Sequence, residues 1–260
     1  MDNNLFDLTG KVALVTGGSR GLGFMIGVGL GKSGAAVCFN ASSEASVAKG
    51  MEEYMKAGIE ARGYVCDVTD EKAVNKMVSK IEEEIGIIDI LVNNAGIIKR
   101  IPMLEMSAED FRRVIDVDLT AGFITAKAVI PGMIVKGHGK IINICSILSE
   151  LGRETVSAYA AAKGGLKMLT RNIASEYGHY NIQCNGIGPG FMATDLTAQL
   201  QEPDNSFNAY LMSKTPANRW GLPEDLQGPA IFLASDASNF VNGHILYVDG
   251  GLLATFGKQL

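Results

Sequence analysis

A chain of 260 residues, 47% hydrophobic and 20% charged, has the composition of a globular protein and the length of one large α/β domain or two small ones. Its formal charge of −5 and its scattered lysines and arginines argue against a nucleic-acid partner, which would need a basic face. No uninterrupted apolar run approaches the roughly 18 residues needed to span a membrane, and MDNNLFDLTGK lacks the apolar core of a secretory signal, so a cytoplasmic location without membrane partners is expected.

Short β-branched or apolar runs alternate with longer helical patterns along the whole chain. Strands are expected at 11–16, 36–40, 63–68, 88–93, 140–145, 182–187 and 244–248, with helices between them. Runs such as VALV, IDILV and KIINI are apolar at successive positions, as a parallel sheet covered by helices on both faces requires. The expected fold is therefore α/β, a single doubly wound, Rossmann-like domain spanning 1–260 with no linker to divide it. One long interruption, 191–221, concentrates Pro203, Asn205, Pro216, Asn218 and Gly221 and is expected to form a substrate lid.

The first strand runs into Thr16-Gly17-Gly18-Ser19-Arg20-Gly21-Leu22-Gly23 and then a small-residue helix. Glycines let a tight turn bring backbone N–H groups up to a pyrophosphate, and the helix N-terminus adds favourable dipole charge. After the second strand comes Asn40-Ala41-Ser42-Ser43, with no acid before Glu44. A carboxylate there would bind a free ribose 2′-OH and repel a 2′-phosphate, so its absence favours NADP(H), with NAD(H) the second choice. Arg20 and either Ser42 or Ser43 are candidate phosphate contacts. The alternative for Arg20 is a solvated loop arginine.

Cys38, Cys66, Cys145 and Cys184 occur singly in or beside strand-like runs and read as buried free thiols. His138, His179 and His244 are too dispersed for a metal site, and His138, in KGHGK, reads as solvent-exposed.

Tyr159 and Lys163 stand four apart in SAYAAAKGG, and Ser146 closes the run KIINICS upstream. On a helix, i and i+4 side chains share a face. A tyrosine at its ordinary pKa of about 10 is a poor base at neutral pH, and a neighbouring ammonium favours the phenolate. With seven tyrosines and fifteen lysines, this spacing is expected about 0.4 times by chance, so context must support it. A second copy, Tyr210 and Lys214, follows no strand and reads as part of a solvated helix or lid.

Taken together, TGGSRGLG, CDVTD, NNAG, Ser146, YAAAK, NGIGPGFMAT and VDGG make the chain resemble the short-chain dehydrogenase/reductase family from end to end. The resemblance implies seven parallel strands and a homotetramer. It further implies that Tyr159 is the general acid/base, that Lys163 holds the nicotinamide ribose and tunes the tyrosine, and that Ser146 bonds the substrate oxygen while hydride passes to or from the nicotinamide. Gly17, Ser19, Gly21, Leu22, Gly23, Asp67, Val68, Asn94, Ala95, Gly96, Ile187, Pro189, Gly190 and Thr194 match cofactor-binding positions of the family. Where the family carries an asparagine in its proton path, this chain has Asp118, which would either hold a water through its carbonyl or pair with Lys163.

Within the family, NICSILSELGRETVSAYAAAKGG and TPANRWGLPEDLQGPAIFLASDASNF are most similar to gluconate 5-dehydrogenases and related 2-deoxygluconate and ketodeoxyuronate enzymes. A sugar acid needs a cation for its carboxylate. Arg100 and Arg153 each follow a strand end and are candidates for it, the alternative being exposed or intersubunit arginines. Two rival functions are a 3-oxoacyl-carrier-protein reductase and a catalytically silent dinucleotide sensor.

Overall fold

The structure, a computed structural model, describes residues 4–202 and 204–256, so Pro203 lies outside the described residues. Its strands are β1 (Val12–Val15), β2 (Ala36–Ala41), β3 (Ala61–Val65), β4 (Ile90–Asn93), β5 (Gly139–Ile144), β6 (Ile182–Pro189) and β7 (Ile245–Val248). All lie parallel in one sheet of order β3-β2-β1-β4-β5-β6-β7. The chain builds outward from β1 to β3, then returns to β4 and builds the other way. The switch point lies between β1 and β4, and such sheets bind ligands there, outside the carboxyl ends of the strands.

Strand alternation explains the continuous apolar runs. Val12 and Leu14 of β1 face a cluster with Leu91, Ile141 and Cys184, packed under α3 (Glu71–Glu84), α5 (Ala121–Lys136) and α6 (Ser157–Tyr177). Ala13 and Val15 face the opposite cluster, with Ile90, Ile142 and Ile187, packed under α1 (Gly21–Lys32) and α8 (Gln227–Ala234). Helices cover both faces, so both are apolar at these positions.

Three strands differ from expectation by two residues or more, among them β4, which starts at Ile90 rather than at 88. The third strand was expected at 63–68, yet β3 pairs only with β2, in the register Ala41↔Val65. One more bond, Cys66 N–H to Ala41 O at 2.9 Å, closes the ladder. Asp67 then leaves the sheet in a turn, its Oδ1 accepting from Thr69 N and Oγ1 at 2.9 and 2.7 Å. The sixth strand runs two residues beyond 187, because β7 supports it as far as Pro189↔Val248.

By length and composition the helical run Ala108–Lys136 could cross a membrane. In this fold it is a core helix, with Ala121, Ile124, Val129 and Met133 buried against the sheet. The four cysteines are free and buried. His138 is not solvent-exposed: its side chain keeps only 16% of its accessibility, packed beside buried Asp89 and 3.3 Å from Lys11 Nζ. The strand that follows, β5, is interior to the sheet and draws this turn against the residues that lead into β1 and β4.

Candidate active site

The glycine loop is held from three sides. Thr16 Oγ1 accepts from the N–H groups of Asn94 and Ala95 at 3.0 and 3.1 Å. Asn94 Nδ2 donates to the carbonyls of Thr16 and Gly17 at 2.9 and 3.2 Å. Buried Asn40 accepts from Gly17 N–H at 3.0 Å and donates to Cys66 O at 2.9 Å, tying the loop to the end of β3. Gly17 and Gly21 have φ of 61° and 58°, the left-handed region that side chains disfavour. A Cβ on Gly23 would stand 2.3 Å from Asn94 Nδ2, so this helix start admits only glycine.

Side chains of Ser43, Asp70 and Ser107 cap α2 (Glu44–Lys56), α3 and α4 (Ala108–Ile115). The start of α1 has no side-chain cap and no acid in its first turn. Its unpaired N–H groups and dipole suit an anion, and the pinned loop lets one approach the backbone, so this cradle fits a dinucleotide pyrophosphate. Ser19 and Leu22 are half-buried there, and Arg20 is exposed. Past β2, Ser42 is exposed, while Ser43 is taken up by its cap to Ser46 N. Asp67 is exposed, its carboxyl held below the usual range by hydrogen bonds from Thr69, and Val68 is buried beside it.

Lys163 stands one helical turn past Tyr159 on α6, and its Nζ lies 5.4 Å from the tyrosine ring centroid. The lysine is 4% exposed and donates to Ile144 O, at the end of β5, at 2.9 Å. Asp118 approaches from the other side, with Oδ2 3.4 Å from Nζ. It sits in a π-helical turn, Asp116–Thr120, between α4 and α5, an irregularity frequent at functional sites. Asp118 Oδ1 accepts from Ile97 N–H at 2.7 Å, whereas Oδ2 has no aligned hydrogen bond, so its contact with Lys163 is ionic rather than directional. Gly96 passes so close that a Cβ there would lie 3.0 Å from Oδ2.

Burial pushes the Asp118 carboxyl up, against the opposing pull of Lys163 and the Ile97 N–H. Burial also acts to lower Lys163, but the fields of Tyr159 and Asp118 outweigh it and leave the ammonium above its ordinary range. Ser146 follows β5. Its Oγ accepts from Leu148 N at 3.1 Å, and its N–H donates to Ser149 Oγ at 3.3 Å, which in turn donates to Lys163 O at 2.9 Å. The serine turn is thereby locked to the helix carrying Tyr159. The structure thus joins Asp118, Lys163 and Tyr159 directly and ties in Ser146 through Ser149.

Arg100 is exposed and Arg153 half-buried. Their loops are joined by Ile101 N–H to Thr155 O at 2.8 Å, with Thr155 at φ 66°, a strained geometry for a β-branched residue. Burial and the field of Arg100 both lower the pKa of Arg153, so the two cations are near each other. Segment 191–221 carries α7 (Ser206–Lys214), and its ends are zipped by Ala193 N–H to Gly221 O at 2.7 Å and Gly221 N–H to Phe191 O at 3.0 Å. Ile187 is buried, Pro189 ends β6, Gly190 donates to Val248 O at 3.0 Å, and Thr194 starts a turn capped through Thr197. Tyr210 and Lys214 repeat the Tyr/Lys geometry at 5.9 Å, but both are exposed.

Sequence reasoning did not single out Thr16, Asn40 or the Ile144 carbonyl as parts of the site. A polar side chain at the end of an apolar strand, as in AVCFN, was the available signal for Asn40.

A seven-stranded parallel sheet with an uncapped glycine-rich helix start and a Tyr/Lys pair beside a strand-end serine defines a dinucleotide-dependent dehydrogenase of the short-chain type. The chain belongs to that short-chain dehydrogenase/reductase family: residues 17–253 match the family model described as enoyl-(acyl carrier protein) reductase. It is 55% identical over 259 residues to the 2-dehydro-3-deoxy-D-gluconate 5-dehydrogenase of Formosa agariphila, covering 99% of this chain and 98% of that protein. The crystal structure of 2-keto-3-deoxy-D-gluconate dehydrogenase from Streptococcus agalactiae superposes with a TM-score of 0.86 at 66% identity, over 96% of each chain. That of a gluconate 5-dehydrogenase from Burkholderia cenocepacia, in complex with NADP and tartrate, superposes with a TM-score of 0.92 at 43% identity, over 97% of this chain and 98% of that one.

Proposed function

We propose that this chain is an NADP(H)-dependent oxidoreductase that interconverts a secondary hydroxyl and a ketone on a gluconate-type sugar acid, with gluconate and 5-ketogluconate the favoured pair. The observation that carries this reading is Lys163, buried between Tyr159 and Asp118, with two arginines beyond the neighbouring strand ends. The relatives support the substrate class, since those described above are named for gluconate or its 2-keto-3-deoxy derivative.

In this reading the nicotinamide, when bound, supplies or accepts the hydride. Tyr159 moves the proton at its phenolic oxygen, and Ser146 holds the substrate oxygen. Lys163, kept charged by Asp118 and placed 5.4 Å from the Tyr159 ring, takes the ribose hydroxyls. The glycine loop, from Gly17 to Gly23, takes the pyrophosphate. Asp67, Val68, Asn94, Ala95 and Gly96 line the adenosine side, and Ile187, Pro189, Gly190 and Thr194 the nicotinamide side. Arg20 and Ser42 meet the 2′-phosphate, a role supported by an exposed arginine and a strand end without an acid. Arg100 and Arg153 take the substrate carboxylate.

We also propose that 1–260 is one domain with 191–221 as its lid, and that it works as a homotetramer in the cytoplasm. Exposed Phe123 and Val135 on α5 and Met168 on α6 support the assembly, which light scattering tests directly, a monomer overturning it.

Steady-state rates with gluconate, 5-ketogluconate, 2-keto-3-deoxygluconate and an acetoacetyl-carrier thioester, each with NADP(H) and NAD(H), test the function. A sugar acid with NADP(H) should give the highest kcat/KM. Turnover of the thioester alone would replace the reading with an acyl-carrier reductase, and cofactor binding without any turnover would replace it with a sensor.

A further inference from the structure

Arg153 is a half-buried cation that takes part in no ion pair among the described residues. Its neighbouring charges are another cation, Arg100, and, with a weaker field, the carboxylate of Glu154, which forms no ion pair with it. Lys99, the third basic residue nearby, is already paired with Asp110. What holds the Arg153 guanidinium instead is an aromatic face: it lies 4.4 Å from the ring centroid of Phe207 and 5.8 Å from that of Phe191. Such stacking orients a guanidinium while leaving its N–H edges free for a carboxylate.

The Phe207 ring is itself fixed from two directions. It belongs to α7, and it packs edge-on against Phe191 at 5.3 Å and 69°. Phe191 in turn packs against Trp220 at 6.0 Å, whose Nε1 donates to Asn208 Oδ1 at 2.9 Å, beside Phe207. The aromatic group therefore links α7, both zipped ends of segment 191–221 and the loop that leads to Tyr159.

We propose that Phe207 is a positioning residue that presents Arg153 to the substrate carboxylate, so that carboxylate recognition depends on segment 191–221 being closed over the site. This rests on the reading of Arg153 as a partner of the sugar-acid carboxylate. An enzyme built this way selects an acid over the corresponding neutral sugar through a residue that touches neither substrate nor cofactor. Phe207 affects binding of the acid and not the proton transfer at Tyr159.

The test uses the full chain with NADPH and two ketones, 5-ketogluconate and its neutral counterpart L-sorbose, in wild type, Arg153→Ala, Phe207→Leu and Phe207→Tyr. Phe207→Leu should raise KM for 5-ketogluconate about five- to tenfold with kcat within about twofold, and Phe207→Tyr should restore it. The rate with L-sorbose and the NADPH Kd should stay within about twofold in both Phe207 variants. Arg153→Ala should raise KM for 5-ketogluconate by at least the same factor. An unchanged KM in Phe207→Leu, with a raised one in Arg153→Ala, would overturn the positioning role and leave the carboxylate reading standing. An unchanged KM in Arg153→Ala would overturn both. Equal losses of kcat in Phe207→Leu and Phe207→Tyr, or equal losses with both ketones, would show a general disturbance of the segment and overturn the proposal.

Discussion

Asp118 and Lys163 form a buried ion pair, Oδ2 to Nζ 3.4 Å, that joins the π-turn between α4 and α5 to the middle of α6. Neither side chain has more than 5% of its surface exposed. Removing one partner of such a pair strands a charge away from water, so Asp118→Ala should cost about 3–5 kcal/mol, read as a lower urea midpoint. Asp118→Asn is the milder change, because its Oδ1 still accepts from Ile97 N–H. It removes the negative field that raises Lys163, so the alkaline limb of the kcat profile should move to lower pH while the fold persists. Superimposable profiles for the Asp118→Asn variant and the wild-type enzyme would mean that the carboxylate does not govern the lysine.

Tyr159/Lys163 and Tyr210/Lys214 are an internal experiment, since their cation-to-ring distances are 5.4 and 5.9 Å. What separates them is burial and the presence of Asp118, not spacing. Tyr159→Phe should lower kcat by about 10²–10⁴ with NADPH binding retained, the range ascribed to a positioned acid/base. Tyr210→Phe should leave kcat within about twofold. Comparable losses in the two variants would assign the chemistry to neither.

How far the sequence was legible follows the same distinction. The apolar runs of β1, β4 and β5 could be read because both sheet faces are buried; the glycine and serine motifs lie at strand ends that these runs locate, and the tyrosine motif lies on the helix that follows. The end of β3 was misplaced because an edge strand stops where its neighbour stops, and pairing is not written in local composition. His138 was misjudged for a similar reason: a Gly-rich turn looks solvated until the strand after it is docked. Asn40, Thr16 and Phe207 act through partners far away in the chain, Gly17 for Asn40, Asn94 for Thr16 and Arg153 for Phe207, and no periodicity reports such contacts.

Cofactor choice has a sharper test at the end of β2. Asn40 points inward to Gly17, which leaves exposed Ser42 and Arg20 as the side chains near the expected 2′-phosphate. Arg20→Ala should raise KM for NADP by about tenfold and leave that for NAD within about twofold, the cost of one charge-assisted contact. Ser42→Asp should act in the same direction by repulsion and favour NAD. Equal effects on both cofactors would show that neither residue reads the phosphate.

Lys140 is a cation placed where the site makes no use of it. It is fully buried in β5, donating to Asn239 Oδ1 at 2.8 Å and Ser238 Oγ at 3.3 Å. Burial lowers its pKa to about 8, with Asp236 opposing and Lys11 adding to the effect. Between about pH 8 and the ordinary value of 10.5, the unfolded chain therefore holds a proton that the folded chain has released. Where the unfolded state binds more protons, stability rises with pH. The cost of the buried ammonium, up to about 3 kcal/mol, is thus fully present below about pH 8 and fades toward 10.5. Lys140→Met fills similar volume without charge and should be more stable than wild type by about 1–2 kcal/mol at about pH 7, after its lost hydrogen bonds are deducted. That advantage should shrink steadily in urea titrations from about pH 8 to about pH 9.5. A difference between the two proteins that does not change with pH would show that Lys140 is not forced to give up its proton by the fold.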